Sequence, residues 1–168
     1  MTDRGGALVA AAATMVLVAA SCQTALNSTE REEQFQELFP MEMNTHISLT
    51  QEEAFGEARI GWSFSLLLQN ETHEPIWIAW DRNPRIFLYS SDSEGWVEIA
   101  DRGVRMHEGE TLAAIGEGLS AIILGVAPDL EARETPIEVR VVVVGRIISE
   151  GTPVDEEVGA YVDVVVHP

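Results

Sequence analysis

Lysine is missing from this chain: all ten basic residues are arginine, set against 28 aspartates and glutamates, for a formal charge of −18. A surface of that sign carries no electrostatic footprint for phosphate backbones, which excludes nucleic acid as a partner. There is one cysteine, Cys22, so an internal disulfide and a cysteine-cluster metal site are excluded as well. The four histidines, His46, His73, His107 and His167, include no His-x-x-x-His or similar ligand pair, and no Gly-x-Ser-x-Gly elbow is present. Long apolar runs are scarce too. The longest, residues 7–20, falls short of the ~20 residues that a bilayer-spanning helix needs. Against these absences stands a 46% hydrophobic content, enough for a core that needs no metal or disulfide staple.

The short apolar run has the length of a signal-peptide h-region, with Arg4 as a weak basic start. It ends in Val18-Ala19-Ala20-Ser21-Cys22, small residues leading directly to the only cysteine. This resembles the lipobox of bacterial lipoproteins, with Ala19 where leucine is commonest. The resemblance implies cleavage before Cys22, acylation of its thiol, a bilayer as partner through that lipid, and an extracytoplasmic location. Residues 1–21 are then the signal peptide. Residues 22–44 read as an acidic tether, with Glu30, Glu32, Glu33, Glu37 and Glu42 against Arg31 alone. Thr29 and Glu32 have capping-box spacing, and Phe35, Leu38 and Phe39 fall on one helical face. A short helix is therefore expected from about Glu30 to Phe39, ahead of Pro40.

From about Thr45 the hydrophobic period becomes two. Ile60, Trp62, Phe64, Leu66 and Leu68 alternate with mostly small or polar residues, the mark of a half-buried antiparallel strand. Further strands are expected at 76–80, 85–89, 96–99, 111–115, 119–126, 137–148 and 160–167, with hairpin turns at Asp92–Gly95 and His107–Glu110. Many short strands with regular turns and no long helix predict an all-β sandwich over 45–168, of about seven to nine strands. Trp77 or Trp80 is a candidate for its inter-sheet position.

The stretch Leu66-Leu67-Leu68-Gln69-Asn70-Glu71-Thr72-His73-Glu74-Pro75-Ile76 and the later Gly109-Glu110-Thr111 are similar to turn segments of bacterial immunoglobulin-like modules. The resemblance covers roughly Ile60 to Val126 and implies an immunoglobulin-like antiparallel sandwich. One branch of such modules is similar to a small proteinase inhibitor. That implies an alternative function as a secreted inhibitor or ligand-binding module, with the Asn70–Pro75 turn or the Asp81–Pro84 loop as contact surface. Turn chemistry carries fold, not activity.

Sites for chemistry are few. Asp92, Glu94 and Gly95 have part of a calcium loop's pattern without its later ligands, and Asp155-Glu156-Glu157 form a dense acidic cluster that reads as a solvated run. Tryptophans 62, 77, 80 and 96 offer sugar-stacking surfaces, with core packing as the simpler role. Paired carboxylates abound, but no cleft is legible to hold them, so a hydrolytic enzyme is a minor alternative and no catalytic residue, metal site or cofactor is expected. The last strands hold the remaining candidate. If 137–148 pairs with 160–167, Val142, Val144, Tyr161 and Val165 form an apolar patch on an outer sheet face, a surface for a protein partner unless the tether or a loop covers it. The function expected is therefore a membrane-anchored, non-catalytic binding or scaffolding module.

Overall fold

In the computed structural model the described residues are 28–51, 57–61, 63–79, 82–90, 94–99, 110–112, 120–125 and 134–168. Two compact units divide the chain, 1–38 and 39–168. Of the first, helix α1 is described over 28–38. It covers the expected segment and stops ahead of Pro40, whose ring cannot follow inside a helix, but Ser28 and Thr29 are already helical, so Thr29 is not its cap. Its Phe35 is buried and its Leu38 exposed.

The second unit is all-β. Its strands among the described residues are β1 (Ile47–Gln51), β2 (Ala58–Arg59), β3 (Ser63–Asn70), β4 (Ile76–Ile78), β5 (Arg85–Ser90), β6 (Gly95–Ile99), β7 (Glu110–Leu112), β8 (Ser120–Gly125), β9 (Ile137–Ser149) and β10 (Thr152–His167). They make two sheets. The smaller has the order β1-β3-β8 and is antiparallel throughout. The larger runs β2-β10-β9-β4-β7, with β5 also on β9 and β6 on β5. Only β2 lies parallel to its neighbour, β10.

The long β9–β10 hairpin is the spine of the larger sheet. Glu150 and Gly151, both at positive φ, form its two-residue turn, the twist that right-handed strands favour. Because β10 occupies one edge of β9, the other edge is shared. β5 takes Arg140 to Val142 and β4 takes Gly145 to Ile147. Inward-facing side chains alternate as the period-two pattern requires. Ile47, Leu49, Phe64, Leu66 and Leu68 of the small sheet pack with Ile76, Ile78, Ile86, Val139, Val141, Val143, Ala160, Val164 and Val166 of the large one. Gly145 faces inward where β4 approaches. A Cβ there would lie 2.6 Å from Ile78 Cδ1 and 2.7 Å from Ile76 Cγ2, so only glycine admits these two isoleucines.

Several strands differ from the expected ones. β1 and β2 are too short for the alternation to stand out. β10 begins at Thr152 instead of Ala160: Asp155, Glu156 and Glu157 are exposed residues of this strand, and of the three Glu157 pairs with β9, at Arg146. The β9–β10 register shifts between Pro153 and Glu157, a bulge that sets this acidic stretch apart from the regular ladder. Among the described core residues there is no tryptophan. Trp77 is half-buried between its neighbours Ile76 and Ile78, and Trp62 and Trp80 lie outside the described residues.

Candidate functional site

The outer face of the larger sheet, away from the small sheet, concentrates the side chains that sequence reasoning singled out. Cross-strand pairs place Val142 opposite Tyr161, Val144 opposite Gly159, Arg140 opposite Asp163 and Glu138 opposite Val165. Val142, Val144, Tyr161 and Val165 thus share a face but make no continuous exposed patch. Val142 is fully buried, Val144 and Tyr161 are half-buried, and Val165 alone is open, at 48% exposure.

The burial has two sources. Residues 39–44, read from the sequence as the end of the tether, belong to the β unit. Phe39 packs edge-on against Phe87 of β5, with ring centroids 5.4 Å apart. At the other end Met43 bridges to Gly159 of β10, where Asn44 N–H donates to Gly159 O at 2.8 Å and Tyr161 N–H donates to Asn44 Oδ1 at 2.9 Å. The segment therefore runs from β5 to the far edge of β10, and Val142 and Val144 of β9 lie between those two attachments.

Two arginine forks supply the rest. Arg140, 6% exposed, donates through Nε and an Nη to both carboxylate oxygens of Asp163 at 2.7 and 2.8 Å. Its guanidinium stands 3.9 Å from the Tyr161 ring centre and 4.7 Å from that of Trp96. Trp96 in turn meets Tyr89 edge-on. Arg85 forks to Glu98 at 2.9 and 2.7 Å and lies over both Phe39 and Phe87. The hydrogen bond from Arg85 holds the Glu98 carboxyl below its ordinary value, against the opposing effect of burial, and Glu98 raises Arg85 in return. A planar, permanently charged fork that stacks on rings suits both places, and lysine would not. The outer face is thus largely a second, small core.

Where β4 and β5 part, no strand among the described residues stands opposite the backbone of Val144 on that edge. Asn83 fills the gap. Its Nδ2 donates to Val144 O at 3.0 Å and to Ala79 O at 2.9 Å, while its Oδ1 accepts from Val144 N–H at 2.8 Å. Sequence reading placed Asn83 in a loop, and nothing local marks a residue that completes a ladder 61 positions away.

Beside the β10 bulge opens a groove of about 520 Å³ lined by Pro40, Met41, Glu42, His46, Asp155, Glu156 and Glu157. The acidic cluster expected to be a solvated run is one wall of it. Glu157 is paired with Arg146 at 3.0 Å, both exposed. Nδ1 of His46 is buried without a hydrogen-bond partner. Among the described residues, no three His, Cys, Asp or Glu side chains gather as a metal-holding group.

The Asn70–Pro75 turn is held by hydrogen bonds of its own and tied outward where Glu71 N–H donates to His46 O and Ile148 N–H donates to Pro75 O, each at 2.8 Å. Asn70 Oδ1 accepts from Thr72 N–H at 2.9 Å, and Asn70 Nδ2 donates to Glu74 O at 2.8 Å. The Thr72 hydroxyl lies 2.8 Å from both Asn70 Oδ1 and Glu74 O, and its single proton serves one of them at a time. Asn70, Thr72 and Pro75 are thereby accounted for as turn chemistry. Cys22, Asp92 and His107 lie outside the described residues. No protein-family model matches the chain, and no curated protein matches it. No described helix is long and apolar enough to cross a membrane.

Proposed function

We propose that the protein is an extracytoplasmic lipoprotein, held to a bacterial membrane by acylated Cys22, whose immunoglobulin-like sandwich serves as a non-catalytic binding or scaffolding module. The observation that carries this reading is Cys22 itself, the sole cysteine, at the end of an apolar run with small residues before it. A leftover thiol in an exported chain has no other evident use, whereas two or three acyl chains there make a stable anchor. Two β-sheets packed over one aliphatic core, with a helix ahead of them, fit an anchored display module. The Asn70–Thr72–Glu74 turn between β3 and β4 supports the immunoglobulin-like assignment within that class.

Metabolic labelling with an alkyne fatty acid tests the anchor, comparing the unsubstituted chain with Cys22→Ser. Label on the first, none on the second, and release of the second from the membrane fraction are expected. Label retained by Cys22→Ser overturns the reading.

A further inference from the structure

Residues 39–44 cross the outer face of the larger sheet without becoming a strand of it. Pro40 has no N–H to give a ladder, and the one ladder contact of the segment is the bridge from Met43 to Gly159. The segment is held at both ends. At the first, Phe39 is buried against the Phe87 ring, with the Arg85 guanidinium 5.1 Å from the Phe39 ring centre. At the second, Asn44 N–H donates to Gly159 O and Asn44 Oδ1 accepts from Tyr161 N–H. Between them Met41 and Met43 rest on a bare glycine, since a Cβ on Gly159 would collide with Met43 Sδ and lie 3.2 Å from Met41 Sδ. Along one flank lies the open groove of about 520 Å³, lined by Pro40, Met41 and Glu42 of the segment and by Asp155, Glu156 and Glu157 of the β10 bulge. No arginine lines it, although Arg146 reaches Glu157 from outside. Glu42 thus shares that space with three carboxylates of β10, and like charges repel until salt screens them.

We infer that residues 39–44 are a strap that opens by itself, with the two sheets still folded, and that its opening bares Val142 and Val144. A segment with so few ladder contacts opens at a free energy well below that of global unfolding. Val142 is fully buried although it lies outside the main core, so lifting the strap turns it and half-buried Val144 into an apolar strip on the sheet face. Repulsion between Glu42 and the carboxylates of the bulge favours the open form at low ionic strength. The chain enters the strap at Phe39, so tension on the residues ahead of it reaches this segment before any strand. The fold therefore couples whatever holds the N-terminal residues to the exposure of the outer face. This inference does not depend on the lipid anchor.

Hydrogen exchange of the full chain tests this without any substitution. The Tyr161 amide, held by Asn44 Oδ1, reports the strap, whereas the amides of Ala160 and Val162 point the other way, to β9, and report the sheet. Tyr161 is expected to exchange roughly 100-fold faster than both, with a weaker dependence on added urea. That ratio should fall severalfold between about 0.02 and 0.5 M NaCl, and likewise in Glu42→Gln at low salt. Met43→Cys with Gly159→Cys, in Cys22→Ser to remove the native thiol, ties the strap down when oxidised and should slow Tyr161 to the rate of its neighbours. In a second Cys22→Ser chain, Val142→Cys should react with a maleimide in step with Tyr161 exchange. Tyr161 exchanging no faster than Ala160 and Val162, or a closed disulfide that leaves its rate unchanged, overturns the strap. A ratio indifferent to salt and to Glu42→Gln overturns the role of the groove, and a Val142→Cys thiol that reacts only on global unfolding overturns the baring of that face. Should the two-cysteine variant fail to fold, the exchange rates of the unsubstituted chain still decide.

Discussion

Asn83→Ala isolates one junction in the larger sheet. The substitution removes three hydrogen bonds of 2.8 to 3.0 Å, two of them to the backbone of Val144. The third ends on Ala79 O, which also accepts from Arg82 N–H at 3.1 Å and so keeps a partner. The cost therefore falls on one N–H and one C=O. Each backbone group left unsatisfied costs about 1–3 kcal/mol when buried. Val144 is half-buried, so some water can reach it, and the lower part of that range applies to both groups. The expected loss is about 2–3 kcal/mol, a large share of the roughly 5–15 kcal/mol by which domains are stable. Urea unfolding followed by tryptophan fluorescence should show a lower midpoint with an unchanged slope, since the surface exposed on unfolding is the same. Hydrogen exchange supplies the local readout, with the Val144 amide losing protection. A loss below about 0.5 kcal/mol, the range of ordinary surface substitutions, together with a Val144 amide that exchanges as slowly as before, would refute the account of Asn83 as a surrogate strand.

Val142→Thr and Val165→Thr, on neighbouring strands of the same outer face, should differ: about 1–3 kcal/mol lost at the fully buried Val142, where a hydroxyl must find a partner, and within about 0.5 kcal/mol at exposed Val165. Equal melting temperatures for the two variants would mean that residues 39–44 do not cover Val142. Acid unfolding probes the Arg85–Glu98 fork. The Glu98 carboxyl is lowered in the folded state, so its contribution is complete above the ordinary carboxylate value of about 4.3 and is lost as pH falls through the lowered one. Because the Glu98 side chain is 45% exposed, Glu98→Gln should remove no more than about 1 kcal/mol of that acid-dependent stability. Stability profiles from pH 7 to 2 that superimpose for Glu98→Gln and the unsubstituted chain would show that the fork contributes nothing.

Much of the strand pattern is legible in the residues because side-chain alternation is a local property. Phe64, Leu66 and Leu68, or Val139, Val141 and Val143, identify a buried face without reference to any partner strand, and the observed core contains them. The end of the helix ahead of Pro40 is equally local, set by proline's missing N–H, whereas Thr29, expected as its cap, lies inside it. The charge balance and the lone Cys22 are likewise complete in the sequence. What alternation cannot say is what stands against an outward-facing residue. Val142 alternates as an outer residue and is one, yet it is fully buried, because Phe39 and Met43 attach their segment to strands on either side of it. The same limit hid Asn83, whose amide serves Val144, and the meeting of Met41 and Met43 over Gly159. Composition, periodicity and caps act within a few residues and are written there. Coverage of a face and repair of a split ladder come from segments far apart in the chain, so only tertiary packing decides them.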